Sequence, residues 1–210
     1  MKLYGFPASP NTWKVRAVAK HLGIPLEIEF IDLTKGEQHR PDHLSRNPNG
    51  RTPVLVDGDL KLWESTAILH YIAGQKPNAL LPQDARSRAD IIRWQSWALA
   101  HWGAEGCEPL LFQRLVKQIL NMGAPDEAVV AGATEQFKKC ANVLEAHLSK
   151  QTYLVDGGIT LADFSVAAPL FYADRGGFPL AEYPKVREWF GRVSAFPCWN
   201  ETAPQFAKAA

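Results

Sequence analysis

Cysteine is scarce. Three occur in 210 residues, Cys107, Cys140 and Cys198, far apart and odd in number. That argues against a disulfide framework and a metal cluster, and fits a reducing cytoplasm. Long apolar runs are missing too: none approaches the ~20 residues needed to span a bilayer. Neither sign of charge is in excess, since 23 basic and 22 acidic side chains leave a net charge of +1. With the two signs interspersed there is no electrostatic case for nucleic acid. No internal repeat occurs, and no low-complexity stretch beyond the short Ala/Lys tail. A signal-peptide pattern is absent before Lys2, where a strand pattern begins at once. The expectation is a cytoplasmic protein with no membrane or nucleic-acid partner and no metal.

What is present is ordinary globular composition, 46% hydrophobic and 21% charged. Lys2 to Gly5 reads as a short strand. Pro7 and Pro10 each lack a backbone donor, so Pro7 to Asn11 cannot extend it. From about Thr12 the period becomes helical, with Trp13, Val15, Ala17, Val18, Ala19 and Leu22 on one face and Gly23 closing the segment. Ser9 and Asn11 therefore sit where a strand ends and a helix begins. There free N–H groups and the helix dipole favour an anion. Both are also preferred N-cap residues, so capping and chemistry both fit them.

Leu26 to Ile31 alternates as a half-buried strand, completing a βαβ unit. Asp32 to Asn49, with Lys35, Gln38, His39, Arg40, Asp42 and His43, reads as a solvated loop with a short helix. Its histidines lack metal-ligand spacing. Pro48 and Asn49-Gly50 mark a turn, Val54 to Val56 a strand, Asp57-Gly58 a hairpin and Leu60 to Trp63 the return strand. Pro53 at the strand entrance is tolerated as its first residue or as a cis proline. A cis bond would turn the Thr52 backbone outward, leaving its N–H and C=O free for a peptide ligand. Glu64-Ser65-Thr66 then opens a helix, with Ser65 as the expected N-cap. Leu80 to Asp84 reads as a linker.

From Ala85 onward no strand pattern carries weight. Arg86 to Gly103 reads as a helix with Ala89, Ile92, Trp94, Trp97, Ala98 and His101 near its apolar side. Pro109 is expected to kink or break the helix ahead of Leu110 to Leu120. Pro125 to Ser149 is a further long helix. Thr160-Leu-Ala-Asp163 forms a capping box ahead of Phe164, and Tyr183-Pro184 starts another helix. The fold class is α/β followed by all-α, with domains at 1–77 and 86–210.

On these residues the chain resembles the cytosolic glutathione transferase family. They are the β-α-β-β-β-α layout, Thr52-Pro53 before a strand, Glu64-Ser65 opening a helix, and Ile159-Thr-Leu-Ala-Asp163 in a helical second domain. The resemblance implies a thioredoxin-like glutathione-binding domain, an all-helical domain contributing an electrophile pocket, and a homodimer. It implies glutathione as co-substrate and a small hydrophobic electrophile, as in detoxification. The position of Ser9 is similar to the serine that hydrogen-bonds the glutathione sulfur in phi-class enzymes. Ser9-Pro10-Asn11 with Lys14 is similar to the nu-class bacterial enzymes, which act as disulfide reductases. The loop lacks the Cys-x-x-Cys of thioredoxins, and Tyr4 is expected to pack in its strand rather than serve the sulfur.

By position, the resemblance gives Ser9 and Asn11 the catalytic role. Thr52 beside Pro53 would pair with the cysteinyl backbone, Glu64 and Ser65 would hold the γ-glutamyl end, and Gln38 and His39 would reach the glycyl carboxylate. Phe6, Pro10, His101 and Trp102 would line the electrophile pocket. The alternatives are a glutathione-dependent disulfide or peroxide reductase, and a non-catalytic glutathione-binding member of the fold.

Overall fold

The computed structural model describes residues 1–204; the Ala/Lys tail lies outside the described residues. The chain divides into two compact units, residues 1–81 together with 195–204, and residues 82–194. In the first unit β1 is Lys2–Gly5, α1 is Pro10–His21, β2 is Glu27–Phe30, α2 is Pro41–Leu44, β3 is Val54–Asp57, β4 is Leu60–Trp63 and α3 is Ser65–Ala73. The sheet order is β2-β1-β3-β4. β1 and β2 run parallel, and the other two pairs are antiparallel.

The register places Leu3 opposite Leu55, both fully buried. The expected apolar face of α1 is buried throughout, and α1 packs beside α3. Tyr4 is buried in its strand, with the Arg46 guanidinium 4.1 Å from its ring centre, a packing role as expected. The edge strand β2 is more exposed than its alternation suggests: Phe30 is half exposed and only Ile28 is partly covered. The division between the two units falls at Leu81–Pro82, within the stretch read as a linker, and the Leu80 and Leu81 side chains are buried. Residues 195–204 join this unit through α1. The Trp13 indole N–H donates to Thr202 Oγ1 at 3.1 Å, and Trp13 lies 4.3 Å from Trp199, ring centre to centre.

The second unit is helical among the described residues. α4 (Ala85–Trp97) runs on through wide i→i+5 turns at Ala98–Cys107, then α5 (Glu108–Leu111), more wide turns at Phe112–Val116, and α6 (Lys117–Ile119). Pro109 therefore does not break the helix. A proline clashes with the carbonyl four residues back in a regular turn, and the widened turn, in which Glu108 N–H bonds Gly103 O, alters that spacing. The buried face of α4 is Ile91, Trp94 and Gln95, not the Ala89–Ile92–His101 set; Ile92 is 52% exposed. α7 (Glu127–Leu148) comes next, capped by Asp126, which accepts from Ala128 and Val129.

The box at Thr160 forms as expected ahead of α8 (Leu161–Ala167). Asp163 is fully buried. Its Oδ2 accepts from Thr160 N–H at 2.8 Å and its Oδ1 from Leu154 N–H at 3.0 Å and the Trp189 indole at 2.8 Å. Trp189 belongs to the helix Pro184–Ser194, so one carboxylate ties two helices and the loop that leads into the first of them.

Candidate functional site

The first unit brings two helix N-termini together. Ser9 is the N-cap of α1, and its Oγ accepts a long bond from Thr12 N–H at 3.5 Å. Pro10 occupies the first helical position, where its missing N–H is no loss. The helix thus starts about two residues earlier than its apolar period suggests, and Asn11 lies inside its first turn instead of capping it. No acidic residue occupies that turn, so the positive end of the dipole is not neutralised from within.

At the other helix, Ser65 is the first residue of α3 rather than its cap. Glu64 holds the cap position with φ 69° and ψ 113° and makes no capping bond. Such a backbone in a residue other than glycine costs on the order of 1–3 kcal/mol and concentrates at functional sites. The Glu64 side chain is exposed. Ser65 is buried, and its Oγ donates to Asn11 Oδ1 at 3.3 Å. That bond leaves the Asn11 NH2 group, on the far side of the amide, available as a donor.

Thr52 precedes Pro53 through a cis peptide bond. It is half-buried, and no partner for its N–H or C=O occurs among the described residues. Gln38 and His39 share one 3-10 turn; Gln38 Oε1 is buried without a partner, whereas His39 is exposed. Phe6 and Pro10 are half-buried on either side of Ser9.

The two pocket residues assigned to the second unit part company. His101 is exposed, with Glu105 at 3.6 Å. Trp102 is fully buried, donates its indole N–H to Val166 O at 2.9 Å and packs against Trp97 and Phe137. It is a core residue and cannot line a pocket, because no part of its surface is open.

Sequence reading missed His43 and Asn47, both nearly fully buried and both bonded to the Arg51 carbonyl. Asn47 opens the Asn-Pro-Asn-Gly turn, which signals the turn though not the burial. The chain's own thiols are poor nucleophile candidates. All three cysteines are buried, and burial pushes each thiol up, Cys107 furthest, whereas the reactive form is the thiolate. Among the described residues no group of three or more His, Cys, Asp or Glu could hold a metal ion, and no helix is long and apolar enough to cross a membrane.

The first unit thus joins two helix N-termini through one side-chain hydrogen bond, and Thr52 adds a backbone segment without partners among the described residues. Residues 1–74 match the glutathione S-transferase N-terminal domain, and residues 127–192 match the glutathione S-transferase C-terminal domain. Glutathione S-transferase 3 of Zea mays is 40% identical over 208 residues, covering 96% of this chain and 92% of that protein. A glutathione S-transferase III solved in apo form superposes with a TM-score of 0.87 at 39% identity, covering 100% of this chain and 99% of that one. A glutathione S-transferase I bound to lactoylglutathione gives 0.86 at 32% identity, covering 96% and 97%. Matched in both sequence and fold along nearly all of its residues, the chain belongs to the glutathione S-transferase family.

Proposed function

We propose that this chain is a serine-type glutathione transferase, phi-like in the spacing of Ser9, which activates the glutathione thiol for attack on a small hydrophobic electrophile. The observation that carries the reading is the 3.3 Å bond from Ser65 Oγ to Asn11 Oδ1. It joins the N-terminus of α1, where a thiolate is favoured, to that of α3, where a carboxylate is favoured. Thr52 supplies the backbone N–H and C=O for the cysteinyl residue. Glu64 and Ser65 hold the γ-glutamyl amine and carboxylate. Gln38 and His39 take the glycyl end, where the unpartnered Gln38 Oε1 accepts an amide N–H. Bound glutathione supplies the sulfur nucleophile; the chain's residues hold it, keep it ionised and place it beside the electrophile. In this reading Phe6 and Pro10, flanking Ser9, face the electrophile. The protein works in the cytoplasm as a homodimer and needs no metal.

Glu64→Ala is expected to weaken glutathione binding at least about tenfold, or about 1.4 kcal/mol, by calorimetry. Unchanged affinity removes Glu64 from the site. A parallel assay of conjugation to a chlorinated nitroaromatic and of mixed-disulfide reduction tests the reaction itself. Conjugation is expected to dominate; reduction alone would place the chain with the nu-like reductases.

A further inference from the structure

The turn between α2 and β3 contains two buried polar side chains that the reaction above does not touch. His43 is 1% exposed and Asn47 is 2% exposed. Both reach the same atom, the carbonyl oxygen of Arg51, at 3.0 Å from His43 Nε2 and 2.9 Å from Asn47 Nδ2. A carbonyl only accepts, so Nε2 carries the imidazole hydrogen. The opposite end of Asn47 is also committed: Oδ1 accepts from Asn49 N–H at 3.0 Å and from the Asn49 amide at 2.9 Å. The Asn47 carbonyl accepts from Gly50 N–H at 3.0 Å.

The gripped carbonyl belongs to the peptide unit whose N–H is that of Thr52. A peptide unit is planar, and in its trans form the C=O and N–H point in opposite directions. Two buried donors that fix the Arg51 carbonyl on the inside therefore aim the Thr52 N–H the other way. That N–H has no partner among the described residues. The same turn backs a second part of the site. Gly50 has φ +60°, and a Cβ there would stand 2.9 Å from His39 Nδ1 and 3.4 Å from the Gln38 carbonyl. The turn and the Gln38–His39 segment therefore lie side by side, with no room for a side chain at Gly50.

We propose that His43 and Asn47 are positioning residues for glutathione, gripping Arg51 so that the Thr52 N–H and the Gln38–His39 turn are set before the peptide arrives. The inference rests on the reading that Thr52 binds glutathione. A buried polar pair could instead serve folding alone, and the two roles separate experimentally. Asn47→Asp keeps the acceptors for Asn49 but sets an oxygen against the Arg51 carbonyl; His43→Leu removes the other donor at similar volume.

In the full chain each variant is expected to raise the glutathione KM about tenfold or more, the scale of one lost well-aimed hydrogen bond. Turnover at saturating glutathione and the pKa of the bound thiol should stay as in the wild type, because Ser9 and Asn11 are untouched. Wild-type KM with a lower melting temperature overturns the inference, and so does a variant that no longer folds, since that outcome assigns the pair to folding. If wild-type protein shows no calorimetric binding of glutathione, the site reading itself has failed. Wild-type binding with unchanged variants refutes only the positioning role.

Discussion

Asp163→Ala is expected to lower the unfolding free energy by about 3–5 kcal/mol, a large share of the roughly 5–15 kcal/mol that holds a domain together. The carboxylate is the shared acceptor of the Leu154 and Thr160 backbone N–H groups, the Thr160 hydroxyl and the Trp189 indole. Removing it strands buried donors, each worth about 1–3 kcal/mol when unpaired. The loss is partly offset because the carboxylate's own desolvation disappears with it. Asp163→Asn keeps one oxygen but turns an NH2 group toward donors, so about half the loss is expected to remain. Thermal unfolding measures both; at roughly 2–4 °C per kcal/mol for a chain of this size, the alanine variant should melt about 6–20 °C lower.

The pH dependence has a definite sign. Burial pushes the Asp163 carboxyl above its ordinary range, opposed by the hydrogen bonds it accepts. With a folded pKa above the unfolded one, the folded state binds more protons in the window between them, so stability falls as pH rises through it. The advantage of wild type over Asp163→Asn should therefore shrink as pH rises from about 4. An advantage that grows would mean that the four donors outweigh burial.

The capping box is legible from sequence because its chemistry is local: a threonine, an acid three residues on and an apolar run are sufficient. β1, the hairpin about Gly58 and the apolar face of α1 are legible for the same reason, each written in a few neighbouring residues. The start of α1 is misplaced by its period because Pro10 ends a strand and begins a helix equally well. The face of α4 is misjudged because Ile91 and Ile92 are adjacent and either can lead the period; Ile91 is buried and Ile92 is not. His101 leaves the Trp94–Trp97 side for a different reason. Each i→i+5 turn adds a residue to a 3.6-residue turn and so rotates the residues beyond it by about 100°, and His101 lies within the widened stretch. His43 and Asn47 read as solvated because polar residues in a turn usually are; their burial depends on the chain folding over them, which no local pattern records. The strained backbone of Glu64 is likewise invisible in the sequence, since glutamate is not a residue that signals a positive φ.

Ser9→Ala is expected to raise the pKa of the bound glutathione thiol by about one to two units, each worth 1.36 kcal/mol of thiolate stabilisation. A free thiol near 8.5 is only a few per cent ionised at pH 7, and lowering it about two units takes roughly 2.7 kcal/mol. A hydroxyl donating to a charged acceptor supplies about 1.5–3 kcal/mol, and the N-terminus of α1 about 0.3–1 kcal/mol more. Capping and catalysis are not exclusive here. Ser9 Oγ accepts from Thr12 N–H, and its own hydrogen remains to donate to sulfur. The variant should therefore show both losses: about 1 kcal/mol of stability from the cap, and turnover at pH 7 lower by about three- to thirtyfold, recovering as pH rises. Glutathione affinity at pH 7 should fall only about three- to fourfold, the share that thiol ionisation adds to binding at that pH, because the rest of the peptide is held elsewhere. The Asn11 oxygen holds Ser65, and in the proposed site its NH2 group faces the same sulfur. Asn11→Ala should thus disturb two things together, raising the thiol pKa and loosening the γ-glutamyl end that Ser65 holds in the proposed site. Thiolate absorbance in the ultraviolet against pH, for wild type and both variants, separates the cases. A shift in Asn11→Ala alone makes the amide the main donor, and no shift in either means that the loop does not activate the thiol.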